Sequence, residues 1–224
     1  MKTVTLLLVS LSLPLASPLA VSQQINSSNN FDEFLTFDDN QVPPGWAITF
    51  PYGGPGHNAR ITKERFQIGQ VDTYAALDKA KTLPAGMTKV HINIECDVKN
   101  IYYGSGYQIH LLMNDGGDFV VGLGKEGSGI NLMGAFAGNY YALEFDQTYN
   151  PRYGIYYLDA VFQTGQIILT ATEQKNGHVF ATAMVAVPEM DITKLQLVRL
   201  FGIMTTGNNS PTAWIDNALI EALP

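Results

Sequence analysis

Glu144 and Asp146 stand two residues apart in YYALEFDQTYN, residues 140–150, and Asn150 follows four residues after Asp146. In an extended strand, residues two apart project from the same face, so these carboxylates are neighbours. Side by side they repel, and water, a cation or a shared proton must relieve them. A hard cation such as calcium takes oxygens from carboxylates, amide side chains and backbone carbonyls. Glu144, Asp146, the carbonyl of Thr148 and the side chain of Asn150 repeat at two-residue intervals, which makes them the candidate metal ligands. Two carboxyl groups flanking one glycosidic bond would instead cleave it. The third reading is structural: two half-exposed acids, paired with Arg152 or a lysine. Exposed charge on a wet strand face asks for no function.

Gln108 and His110 in GYQIHLL share a strand face by the same rule. Gln-Ile-His resembles a strand of the jelly-roll alginate lyases. That resemblance implies a polysaccharide lyase for uronate-containing glycans. An arginine and Gln108 would neutralise the uronate carboxylate, while His110 and a tyrosine would move protons. Arg60 or Arg65 in NARITKER would be the arginine, and Tyr140 in FAGNY the tyrosine. The plain alternative is an interstrand polar pair of His91 or His110 with a neighbour. His57, His91, His110 and His178 never fall at metal-ligand spacing, and no nucleophile elbow or phosphate loop occurs.

Eleven tyrosines suit a different task. In a strand, each of the pairs Tyr102-Tyr103, Tyr140-Tyr141 and Tyr156-Tyr157 sends one ring inward and one outward. An outward tyrosine stacks on the C–H face of a sugar while its hydroxyl bonds to sugar oxygens. Tyr102, Tyr140, Tyr149 and Tyr153 are therefore candidates for a glycan platform, with Tyr156 or Tyr157 beside them.

The elements that must carry these residues are strands. Val90, Ile92, Ile94, Cys96 and Val98 alternate with Lys89, His91, Asn93, Glu95 and Asp97, which predicts a half-buried strand with one wet face. Cys96, the sole cysteine, lies on the apolar face and reads as a buried small hydrophobe. Similar short runs follow along the chain: YQIHLLM, DFVVGLG, GIYYLDAVF, VFATAMVAV and KLQLVRLFGIM among them. Turn signals such as Asn114-Asp115-Gly116-Gly117 and Asn176-Gly177 separate them. No long 3.6-residue stripe and no repeat appear. The pattern predicts an all-β antiparallel sandwich or jelly roll, with the first and last strands side by side and Trp46 packed on Trp214.

FDD…PPGW near the start and IDN in the last strand resemble the exported concanavalin A-like sandwich domains of the lectin/glucanase superfamily. Within that superfamily, ALEFDQTYN resembles the metal-binding stretch of legume-type (L-type) lectins. The resemblance implies that Glu144 and Asp146 bind metal, that Thr148 gives a backbone oxygen, and that Asn150 serves calcium and the sugar. The family continues with an Asp and a His. Here Pro151-Arg152-Tyr153-Gly154-Ile155 follows, which removes a transition-metal site and weakens a calcium site. Laminarinase-like glycosidases resemble the stretch in their E-x-D-x-E strand. Thr148 replaces the last Glu, so their general acid is missing.

Lys2 followed by VTLLLVSLSLPLASPLA reads as an export signal, with cleavage placed after Ser22 and Ala20 as the alternative site. Residues 23–30 form a polar, flexible leader, and residues 31–224 one sandwich domain. The apolar run is too short and broken to span a bilayer. A net charge of −7 disfavours phosphate backbones and anionic lipid. Together these features predict a secreted, non-catalytic, lectin-like protein whose partner is a glycan and whose only implied cofactor is calcium. The rival readings are a polysaccharide lyase and a structural surface or matrix protein that assembles through protein contacts.

Overall fold

The computed structural model describes residues 31–37, 39–51, 59–68, 73–98, 106–126, 129–136, 139–143, 154–204 and 213–224. Its strands are β1 (Glu33–Leu35), β2 (Ala47–Thr49), β3 (Ala59–Thr62), β4 (Arg65–Ile68), β5 (Thr73–Ala80), β6 (Lys89–Val98), β7 (Gly106–Met113) and β8 (Asp118–Glu126). They continue as β9 (Gly129–Phe136), β10 (Asn139–Leu143), β11 (Ile155–Gln163), β12 (Gly165–Glu173), β13 (Val179–Val187), β14 (Leu195–Met204) and β15 (Ala213–Leu223). One sheet has eight strands in the order β13-β12-β11-β6-β15-β4-β3, with β1 also paired to β15. The other has seven, in the order β10-β9-β8-β7-β14-β5-β2. Every pairing among the described residues is antiparallel. This is the all-β antiparallel sandwich the alternation predicts.

The core lies between the sheets and is built by period two. On β6, Val90, Ile92, Ile94 and Cys96 are fully buried. They pack with Leu158, Ala160 and Phe162 of β11, and with Ile109 and Leu111 of β7 and Leu200 of β14 in the facing sheet. A one-residue slip in any of these strands would turn its apolar set to the outside. The first and last strands pair as expected, Glu33 opposite Ile220 and Leu35 opposite Ala218. Glu33 ties this edge to the other sheet by accepting from Trp46 Nε1 (2.9 Å) and from the ammonium groups of Lys79 and Lys81. Trp46 is thus buried with a polar partner. The backbone of Trp214 pairs with Gln67, while its side chain, on which the expected packing with Trp46 rests, lies outside what the structure describes.

The register of β15 breaks between Ile215 and Ala218. The bulge adds one residue, so Asp216 and Asn217 together oppose Glu95. Asp216 meets Arg65 (3.2 Å), and Asn217 Nδ2 donates to Glu95 (3.2 Å).

The hairpin β3–β4 had no strong signal in the sequence. Its two-residue turn is Lys63-Glu64, with φ of +53° and +61°. Such a turn normally takes Asn-Gly or Asp-Gly, because both central residues need positive φ. The Glu64 amide, held by Asn40 Oδ1 at 3.0 Å, keeps the turn in place. Glu64→Gly removes the left-handed strain and is expected to stabilise the protein by about 0.5–1 kcal/mol. A urea titration that shows no rise in the midpoint would contradict this account of the turn.

Candidate functional site

Paired residues in an antiparallel sheet share a face, so a register row is also a row of neighbours. One row crosses the seven-stranded sheet. Tyr140 pairs with Ala135, Ala135 with Val120, Val120 with His110, His110 with Arg199, Arg199 with Asp78, and Asp78 with Ala47. Its strands send the alternate residues, Ile109, Leu111, Val121, Leu200 and Leu77, into the core. The row therefore belongs to the sheet's outer face.

Two polar units occupy that face. In the first, Arg199 Nε donates to Asp78 Oδ1 and Nη2 donates to Asp78 Oδ2, both at 2.8 Å. Thr49 Oγ1 also donates to Asp78 Oδ2 at 2.8 Å. The guanidinium and carboxylate side chains are 12% and 10% exposed, so this forked pair is largely withdrawn from water. In the second unit, the His110 ring lies between two oxygens. Nε2 meets Gln108 Oε1 at 2.9 Å, and Nδ1 meets Asp118 Oδ1 at 3.2 Å. The ring edge packs on Phe201 with centroids 5.1 Å apart. His110 is buried, while the side chain of Asp118 remains 37% exposed. Gln108 stands opposite Gly122 and Phe201 in register. The face thus carries carboxylate, amide, imidazole and guanidinium groups, of which Asp118 is the most exposed.

Gln108 and His110 share a face, as their spacing predicts. Arg60 and Arg65 do not join them. Both lie in the eight-stranded sheet, where Arg60 Nε donates to Gln67 Oε1 (3.2 Å) and Arg65 pairs with Asp216. This corrects the assignment of either one as the arginine beside His110. That arginine is Arg199. Its signal in the sequence is an arginine inside the apolar run LQLVRLFGI, where a charge must find a partner. Tyr140 takes its place in the same row by backbone register. Glu144, Asp146, Thr148, Tyr149, Asn150, Tyr153 and Tyr102 lie outside the described residues.

A second polar cluster sits on the outer face of the eight-stranded sheet. His91 Nε2 meets Asp159 Oδ2 at 2.9 Å, and Nδ1 meets Glu221 Oε2 at 3.0 Å. Asn93 Nδ2 donates to the same Asp159 oxygen at 2.9 Å. The wet face of β6 is therefore a knit polar surface, and Glu95 on it is buried. Burial alone would lower the His91 pKa. The hydrogen bonds and charges of Asp159 and Glu221 outweigh it and raise the value to about 9. For Asp159, burial would raise the pKa, and His91 and Asn93 together hold it below the usual range.

These shifts fix a pH window. The folded pKa of His91 lies above its ordinary 6.5, so its stabilisation is complete below that pH and is lost as pH rises through about 9. The folded value of Asp159 is depressed, so its contribution holds above the ordinary 3.8 and is lost as pH falls through the lower folded value. Urea midpoints are expected to fall between pH 7 and 10 in the wild-type protein and to stay flatter in His91→Gln. Equal slopes in the two proteins would refute the His91 assignment.

Among the described residues, no group of three or more His, Cys, Asp and Glu side chains is arranged to hold a metal ion. No helix among them is long and apolar enough to cross a membrane.

No family model matches the chain, and no curated protein matches it in sequence. Solved structures do match its fold. Lectin II from Ulex europaeus aligns with a TM-score of 0.62 at 8% identity, covering 87% of this chain and 100% of that one. The CBM2 module of the evolved Dit of Lactobacillus casei phage J-1 gives 0.60 at 11% identity, covering 85% and 96%. The Bauhinia forficata lectin, in complex with GalNAc, gives 0.59 at 10% identity, covering 85% and 98%. At these identities the likeness is one of fold: the chain is an all-β antiparallel sandwich folded like these proteins.

Proposed function

We propose that this protein is a secreted, non-catalytic carbohydrate-binding protein, and that the outer face of its seven-stranded sheet is the floor of the ligand site. The observation that carries the reading is the polar row of that face, set in a sandwich whose whole-length neighbours include lectins. A sugar hydroxyl both donates and accepts, so it needs acceptors and donors side by side. Asp118 offers the exposed acceptor, Gln108 an amide, and Tyr140 stands in the same row for stacking. Tyr102, Tyr149 and Tyr153 are proposed as further stacking groups, with Asn150 beside them. Glu144, Asp146, Thr148 and Asn150 are proposed as calcium ligands.

A glycan array probed with the mature protein tests this reading. Saturable binding to defined oligosaccharides supports it, and a blank array across neutral and acidic glycans refutes it. Repeating the array after chelation with EDTA tests calcium separately: unchanged binding removes the metal and leaves the floor.

A lyase is the second reading, favoured by one observation: Gln108, His110 and an arginine, Arg199, share a face. Against it, Arg199 turns its Nε–Nη2 fork onto Asp78, so that fork is not open to a uronate carboxylate. Incubation with a polyuronate separates the readings. Rising ultraviolet absorbance, abolished in His110→Ala, would establish the lyase. A flat trace leaves the binding protein.

A further inference from the structure

A histidine ring carries a proton on one nitrogen or on both, and its neighbours decide which. The Asp118 carboxylate can only accept. His110 Nδ1, 3.2 Å from Oδ1 and 3.3 Å from Oδ2, therefore holds a proton. Nε2 lies 2.9 Å from Gln108 Oε1, which is also an acceptor. With that carbonyl turned to the ring, Nε2 must be protonated as well, and His110 is an imidazolium. A neutral ring has a lone pair at Nε2, and only the NH2 end of the Gln108 amide can meet it. Burial of the ring beside Phe201 keeps bulk water from taking the place of Gln108. The Nε2 proton and the orientation of the Gln108 amide are thus a single variable.

We propose that His110 is a positioning residue that chooses which end of the Gln108 amide meets the ligand, and that the charged ring makes this face select acidic sugars. The inference rests on this face being the floor of the ligand site. With Nε2 protonated, Gln108 turns its carbonyl to the ring and its NH2 away from it. That NH2 donates to a sugar carboxylate. With Nε2 bare, the NH2 turns to the ring and the carbonyl away from it, where it accepts from a hydroxyl and opposes a carboxylate.

Charge acts in the same direction. Among the described residues, the charged groups on the face around the ring are Asp118 of β8 and Arg199 of β14, and Arg199 is bound to Asp78 of β5. Phe201 and Val120, the other neighbours of Gln108 and His110 in register, are apolar. Arg199 offsets Asp78, and an imidazolium offsets Asp118. Loss of the ring proton leaves the Asp118 charge unopposed, and an anionic sugar is repelled.

The glycan array, run at two pH values, tests the specificity on paired oligosaccharides that differ only in a glucuronate in place of a glucose. Histidine ordinarily changes charge between about pH 5 and 8, and a uronate carboxylate stays ionised across that range. The preference of the wild-type protein for the glucuronate member is expected to fall at least about tenfold from the lower pH to the higher. His110→Gln cannot change charge, and its preference is expected to stay level within about twofold. Nitrogen NMR of the mature wild-type protein, labelled in histidine and glutamine, tests the coupling without a glycan or a variant. As pH rises, Nε2 is expected to lose its proton while Nδ1 keeps its own, and the Gln108 side-chain amide signals are expected to shift with Nε2. A preference that ignores pH, or that moves equally in His110→Gln, overturns the inference while array binding survives. So does a ring that gives up the Nδ1 proton, or a Gln108 amide indifferent to the ring. A blank array at both pH values removes the ligand site itself, and the inference with it.

Discussion

Arg199→Met lowers the unfolding free energy by about 3–5 kcal/mol. The reason is the carboxylate left behind. Asp78 is 10% exposed and has three charge-assisted or hydroxyl bonds, two from Arg199 and one from Thr49. Without the guanidinium, an uncompensated charge remains in a site with little water, and one threonine hydroxyl cannot hold it. Removing both charges is different. Arg199→Met combined with Asp78→Leu is expected to recover most of the loss, because no buried ion is left. Urea titrations of the two single variants and the double variant give the coupling directly. A single-variant cost below about 1 kcal/mol would mean that the pair is solvated like a surface ion pair.

Gly122→Ala is expected to cost about 3 kcal/mol and to weaken ligand binding as well. Gly122 faces Gln108 across β7 and β8. A Cβ there would fall on the Tyr107 carbonyl oxygen and come within 2.8 Å of Gln108 Cγ. A side-chain tip can swing away, but a ladder carbonyl cannot move without opening the strand pair. The strain therefore divides between β7–β8 pairing and a displaced Gln108. Gln108 meets His110 Nε2, so the displacement reaches the proposed floor of the site. A denaturant midpoint unchanged from wild type would show that this close approach carries no such constraint.

Local pattern and non-local pairing explain what could be read from the chain. Strict alternation made β6, β11 and β13 visible, because a half-buried strand writes its two faces into adjacent residues. The pairing of first and last strands also followed from the closed sandwich. Hairpin β3–β4 was hidden by Lys63-Glu64, which occupy backbone regions usually marked by Asn or Gly. In the site, Gln108 and His110 were legible because their juxtaposition is local to one strand. Arg199 and Asp78 were not: they lie 121 positions apart and meet only through the order of β14 and β5. His91 and Glu221, 130 positions apart, are a second case. Arg60 and Arg65 drew notice by composition alone, and strand order carries them into the other sheet. The two acids of YYALEFDQTYN keep the standing their sequence gives them, since β10 is described only to Leu143.

Isothermal titration of the mature protein with an oligosaccharide identified on the array tests the central claim most directly. Saturable binding is predicted, weakened at least about tenfold by Gln108→Ala and by Asp118→Asn at a temperature where each variant is still fully folded. Binding that neither substitution alters would contradict the placement of the ligand on the outer face of the seven-stranded sheet.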